Sequence, residues 1–277
     1  MQTIKLQSWN EFRRAIEDVR LKYGNFKRPL DNGLVYDRKN RILFRGQSDA
    51  AWPLNTTLER KSTQPFDILK YMLLATGCVK ELESFTGHRW NTDDYPDLKK
   101  GIEETQDSCR ICLPHYDYLV YLRQFGFPSP LLDWTESPYI AAYFSYLDTH
   151  EAENVSVYCY IEYPESGKSF SGGEPLITVK GPHVRTHARH FAQKAWYTVA
   201  TKWKYDEKAH FFCSHELVFD RNDPKQDVLI KIELPASDRK QALEELNDYN
   251  INHFTLFQSE DSLVKALELK TFDMRDV

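Results

Sequence analysis

The chain has 277 residues, 41% of them hydrophobic and 14% aromatic, which is enough apolar side chain to bury a full core and too much for a disordered segment. A formal net charge of −5 would not draw in a polyanion, so nucleic acid is disfavoured as a partner and would need a local basic patch. No apolar run reaches the length of a membrane span, and the opening MQTIKLQSWNEF lacks an apolar signal-peptide core. A cytoplasmic protein with no membrane partner is therefore expected, and five cysteines fit reduced thiols better than a disulfide framework.

Trp9 to Tyr23 reads as an amphipathic helix, with Trp9, Phe12, Ile16 and Val19 on one face and Ser8 as N-cap. Gly24 to Asn40 is polar, carries Pro29, Asn32 and Gly33, and reads as a loop. Arg41 to Arg45 reads as a short strand that ends at Gly46. Phe66 to Phe85 has the pattern of one helix, and His88 to Cys109, with Pro96 and Gly101, that of a polar surface excursion. Pro114 to Phe125 is a further helix, stopped by Gly126. Leu131 to Thr135 reads as a strand leading into a helix near Ser137, where Pro138 suits the first turn. Asn154 to Tyr163, Pro175 to Val184, Phe211 to Asp220 and Asp227 to Leu234 read as strands. Ser237 to Tyr249 and a segment capped by Ser259 through Leu269 read as helices. Strands and helices interleave without a doubly wound rhythm. The expected class is α+β, a single mixed-sheet core with several surrounding helices. An N-terminal helix and loop over 1–40 would precede a domain over 41–270, with a helical and polar excursion at 61–113.

Few sequence features carry chemistry. Cys109 and Cys112, with His115 close by, form a CxxC that lacks a second ligand pair at matching spacing, so no metal is expected and two partly buried thiols explain it. His183, His187 and His190 have no carboxylate between them and fail as a metalloprotease motif. Gly172-Gly173 reads as a turn, and neither a phosphate-cradling glycine loop nor a nucleophile elbow is present. Arg45, at the end of an apolar strand, is costly to bury unpaired, and its planar fork suits a phosphate or a carboxylate. A structural salt bridge to Asp133 or Asp49 would account for it equally. Asp133 could instead cap the helix that follows, and Trp134 could be core.

These residues resemble a known family. Phe44-Arg45-Gly46-Gln47, followed by Trp52, Leu54, Leu58 and Arg60, resembles the opening signature of the FRG domain. Gln124 to Pro138, with its LLDWT, is similar to the second block, and Arg189 to Gln193 with Tyr197-Thr198 to a third. Asn250 to Phe257 resembles the family's close, so the blocks run from about Phe44 to Leu267. Phe125 stands where the family often has His, and Pro130 where it often has Arg. The order of elements also resembles, more distantly, that of ADP-ribosyltransferases. Arg45 matches their first element, Asp133 to Thr135 with Ala141 and Ala142 the second, and Gln193 the third.

That resemblance implies a nucleotide ligand, with NAD as a co-substrate and water, a protein or a nucleic acid as acceptor. Cleaving nicotinamide from NAD builds an oxocarbenium-like ribose. It needs a cation for the pyrophosphate, a polar group to orient the ribose, and a carboxylate where positive charge develops. Arg45, Gln47, Trp134, Thr135 and Arg189 are the expected ligand-binding residues; Asp133, Gln193 and Glu216 are the expected catalytic ones. Gln193 stands where a glutamate is usual and cannot supply negative charge, so Asp133 or Glu216 would have to. The alternative is a non-catalytic sensing or interaction module in bacterial stress or phage defence, with Arg45 and Asp133 as a structural pair.

Overall fold

A computed structural model describes residues 1–62, 64–104, 113–148, 151–165, 167–169, 173–221, 223 and 225–274. In chain order the strands are β1 (Gln2–Lys5), β2 (Asn25–Pro29), β3 (Val35–Lys39), β4 (Ile42–Gln47), β5 (Leu132–Thr135), β6 (Asn154–Ile161), β7 (Leu176–Lys180), β8 (Ala195–Lys204), β9 (Ala209–Phe212) and β10 (Val228–Pro235). The α-helices are α1 (Phe12–Tyr23), α2 (Thr57–Lys61), α3 (Ile68–Thr76), α4 (Val79–Thr86), α5 (Tyr95–Glu103), α6 (Tyr116–Gln124) and α7 (Pro138–Leu147), followed by α8 (Arg189–Ala192), α9 (Glu216–Phe219), α10 (Arg239–Asp248), α11 (His253–Phe257) and α12 (Glu260–Glu268). Cys109, Cys112 and Gly172 lie outside the described residues.

The fold is α+β. An eight-stranded sheet runs β1-β10-β6-β4-β5-β8-β7, with β9 added on β8. The β1–β10 pair is parallel and the others are antiparallel. One face packs on α1, α7 and α10: Phe12, Ile16, Tyr143, Tyr146 and Leu243 meet Phe44, Val157, Cys159 and Ile232. Leu43, Trp134, Tyr158, Tyr160 and Leu229 close the other face with Leu54 and Phe219. A third cluster joins α3, α5 and α6 to Tyr197 and Val199 of β8. β6 is buried on both faces, so it reads as a continuous apolar run.

Several elements depart from the sequence reading. The expected loop at 24–40 is the β2–β3 hairpin, turned by Gly33 at φ +80° with Asn32 Oδ1 accepting from Leu34 N. Its strands are largely exposed and so lack an apolar face to read. β1 pairs with β10 and Trp9 is buried, which ties the N-terminal segment into the main core. Ser8 makes no side-chain cap; Asp238 Oδ2 accepts from Trp9 N at 2.7 Å instead. The expected helix from Phe66 to Phe85 divides at Gly77 and Cys78 into α3 and α4. The polar excursion contains α5, where Pro96 occupies the first turn, Asp94 caps, and Leu98 and Ile102 are buried. The expected strand from Phe211 to Asp220 ends at Phe212, and Glu216 opens the short helix α9. A short apolar run of this kind does not distinguish strand from helix.

Candidate functional site

The FRG tripeptide divides three tasks. Phe44 is buried under α7 and Arg45 enters a cleft. Gly46 lets β4 touch α7: a Cβ there would sit 2.0 Å from the Ala141 carbonyl oxygen and 2.7 Å from Ser145 N. The strand therefore continues through Gly46 rather than ending at it. Ala141 and Ala142 are fully buried, and their small side chains complete the close approach.

β4 and β5 share a single register pair, Phe44 with Thr135. Beyond it β4 stays with β6 as far as Gln47–Ser156, and β5 stays with β8. The sheet opens where the strands part, and the opening is a cleft of about 310 Å³. Arg45, Arg123 and Arg189 line it, with Asp133, Gln124 and Gln193; Thr135, Phe144 and Phe257 add to its walls.

Arg45 Nη1 donates to the main-chain carbonyl of Asp133 at 2.9 Å and lies 3.9 Å from its Oδ2. The direct partner of that carboxylate is Arg123, whose Nη2 donates to Oδ2. Arg189 lies over the Phe125 ring at 4.6 Å. Three guanidiniums thus face one carboxylate among the described lining residues, and the Nε of each arginine is buried without a partner. Burial pushes Arg45 down to about 10, against the pull of Asp133 and with Arg123 pushing the same way as burial. It is still a cation at neutral pH. Burial lowers Arg189 as well.

The polar walls are held from behind. Gln124 Nε2 donates to Tyr197 Oη at 2.7 Å, and Tyr197 Oη meets His190 Nδ1 at 3.2 Å. His190 Nε2 lies 2.8 Å from the Pro182 carbonyl oxygen. Gln193 Nε2 donates to the Leu256 carbonyl at 3.3 Å. Thr135 Oγ1 accepts from Ser137 N at 3.1 Å, and Ser137 Oγ caps α7 by accepting from Ile140 N at 3.3 Å. Asp133 is thus not the helix cap.

Of the residues singled out from the sequence, Arg45, Asp133, Trp134, Thr135, Arg189 and Gln193 come together at the cleft. Trp134 lines it but is 3% exposed and belongs to the core; its Nε1 donates to Thr198 Oγ1 at 2.7 Å and its ring packs on Tyr160. Gln47 is not among the lining residues; it is buried and its Nε2 donates to the Pro53 carbonyl at 3.1 Å. Glu216 is also outside the cleft, with Oε1 accepting from Leu54 N at 3.1 Å. The sequence reading missed Arg123 and Gln124 as site residues. The available signal was a lone arginine at the end of a helix whose Tyr118, Leu119, Val120 and Leu122 are all buried. Among the described residues no group of three His, Cys, Asp or Glu side chains is placed to hold a metal ion.

Residues 40–154 match the family model of the FRG domain. No curated protein and no solved structure matches the chain. The match covers Arg45, Arg123, Gln124, Asp133 and Thr135, and ends before Arg189 and Gln193. The chain carries an FRG domain over residues 40–154, and later segments complete the cleft that this domain opens.

Proposed function

We propose that the cleft binds the pyrophosphate of NAD or a related nucleotide, and that NAD bound there can be cleaved, with ADP-ribose passing to water or to a protein acceptor. The observation that carries this reading is the set of three guanidiniums, each with an unpartnered inner nitrogen, against one lining carboxylate. Arginines in this setting favour a ligand with several anionic oxygens in a planar or bidentate arrangement. Phe144 and Phe257 give the walls an apolar portion suited to a ribose or base.

In this reaction the C–N bond between nicotinamide and ribose breaks and nicotinamide leaves with the bonding pair. Water or an acceptor nucleophile then forms the new bond at that carbon and loses a proton. Asp133 is the lining carboxylate available to stabilise the oxocarbenium charge, and Arg45, Arg123 and Arg189 would hold the phosphates. A second reading is binding without turnover, as in a sensing module. It is favoured by the direct engagement of Asp133 with Arg123 and by the position of Glu216 outside the cleft.

The test is incubation of the purified protein with NAD, following free nicotinamide and the melting temperature. A raised melting temperature with nicotinamide release is expected. A shift without release selects the sensing reading. Neither shift nor release overturns both.

A further inference from the structure

We infer that the cleft selects a phosphate ligand whose neighbouring groups are hydroxyl donors, a ribosyl pyrophosphate, because Gln124 and Gln193 both line it with their amide nitrogens already engaged, which leaves two amide oxygens to accept. This inference rests on the reading of the cleft as a nucleotide site.

The direction of each amide follows from its partners. A carbonyl oxygen can only accept, so His190 Nε2, 2.8 Å from the Pro182 carbonyl, carries the proton. The ring is buried, and burial lowers its pKa, which leaves Nδ1 as a lone pair. Tyr197 must therefore donate its one proton to Nδ1. Its oxygen is left to accept, and it does so from Gln124 Nε2 at 2.7 Å. The Gln124 amide is thus fixed with Nε2 on Tyr197, which leaves Oε1 without a partner among the described residues. Gln193 is fixed more simply: the Leu256 carbonyl can only accept, so it takes Nε2 and leaves Oε1. Gln124 and Gln193 make no other side-chain hydrogen bond among the described residues, and both line the cleft.

The cleft thereby combines three cations with two fixed acceptors. The cations suit phosphate oxygens. The acceptors repel phosphate oxygens and suit O–H or N–H groups. A bare pyrophosphate satisfies only the first set, whereas a pyrophosphate flanked by ribose diols satisfies both. His190 and Tyr197 are positioning residues in this scheme and touch no ligand.

The experiment titrates the protein with ADP-ribose and with inorganic pyrophosphate, for the wild type and for Gln124→Met, Gln193→Met, Tyr197→Phe and Gln124→Met/Tyr197→Phe, with thermal melts to confirm folding. ADP-ribose is expected to bind more tightly than pyrophosphate. Each Gln→Met change should weaken ADP-ribose about fivefold to tenfold and leave pyrophosphate unchanged or bound somewhat more tightly, since an acceptor that repels its oxygens is removed. Tyr197→Phe should weaken ADP-ribose in the wild type and add little once Gln124 is Met, because it acts through that amide. Equal binding of the two probes, equal weakening of both by the Gln→Met changes, or full additivity of Tyr197→Phe with Gln124→Met overturns the inference and leaves the anion site standing. Failure of both probes to bind the wild type overturns the nucleotide reading and this inference with it.

Discussion

Asp133→Asn separates binding from chemistry at this site. In the wild type the Asp133 carboxylate takes the direct bond from Arg123 and lies 3.9 Å from Arg45 Nη1. Asparagine keeps the main-chain carbonyl that Arg45 uses and removes the negative charge. Breaking a buried ion pair from one side costs roughly 3–5 kcal/mol. The Asp133 side chain is 34% exposed, so water takes over part of its role and a loss of about 1–3 kcal/mol is expected. Anion binding should move the other way. A unit charge about 10 Å away, at an effective dielectric near 20, is worth about 1.7 kcal/mol. Removing it should tighten inorganic pyrophosphate roughly tenfold. Urea unfolding with and without pyrophosphate reads both effects, and added pyrophosphate should restore more stability to the variant than to the wild type. Nicotinamide release from NAD should fall in the same protein. Unchanged stability would mean that the carboxylate does not hold Arg123, and weaker pyrophosphate binding in Asp133→Asn that it does not oppose an anion in the cleft.

Other substitutions follow from the same geometry. Gly46→Ala places a Cβ 2.0 Å from the Ala141 carbonyl oxygen and should cost about 3 kcal/mol or more by denaturant titration. Arg45→Met leaves Asp133 paired with Arg123 and removes a buried cation next to another, so stability should change by less than about 1 kcal/mol while pyrophosphate affinity drops at least tenfold. His215 is fully buried against Thr198, and burial, then Arg45, lower it to about 3. The unfolded chain binds a proton near pH 6.5 that the folded chain refuses, so stability is complete above that pH and is lost as the pH falls toward about 3. The slope from this group is about 1.4 kcal/mol per pH unit. Denaturation of the wild type and His215→Gln at pH 7.5 and pH 5 should show a smaller acid loss in the variant.

Much of the fold was legible where one face of an element is buried. The α1 stripe of Phe12, Ile16 and Val19 carries a clear helical period; β10 is buried on both faces from Leu229 to Ile232, yet Lys231 and Glu233 still mark alternate positions. β8 was missed because Ala195 to Thr201 is buried on both faces, which erases alternation. The β2–β3 hairpin was missed for the opposite reason, since it has almost no buried face.

At the site, Arg45 and Asp133 were legible because charged residues stand out inside apolar runs. A pairing of the two was among the expectations, and Arg45 Nη1 does lie 3.9 Å from Asp133 Oδ2; the third member was not foreseen. The carboxylate's direct partner, Arg123, comes from a helix and is brought in only by tertiary packing. Glu216 looked available because its apolar neighbours suggested a strand, and the helix it opens holds it against Leu54. The opening between β4 and β5 depends on a register that no local pattern encodes.

An anionic nucleotide between Arg45, Arg123 and Arg189 would draw its affinity from the three guanidiniums. Calorimetric titration of NAD into the wild type and into Arg45→Met tests it most directly. Binding should weaken with salt in the wild type and fall at least tenfold in Arg45→Met. No binding to the wild type, or equal binding to both, would contradict it.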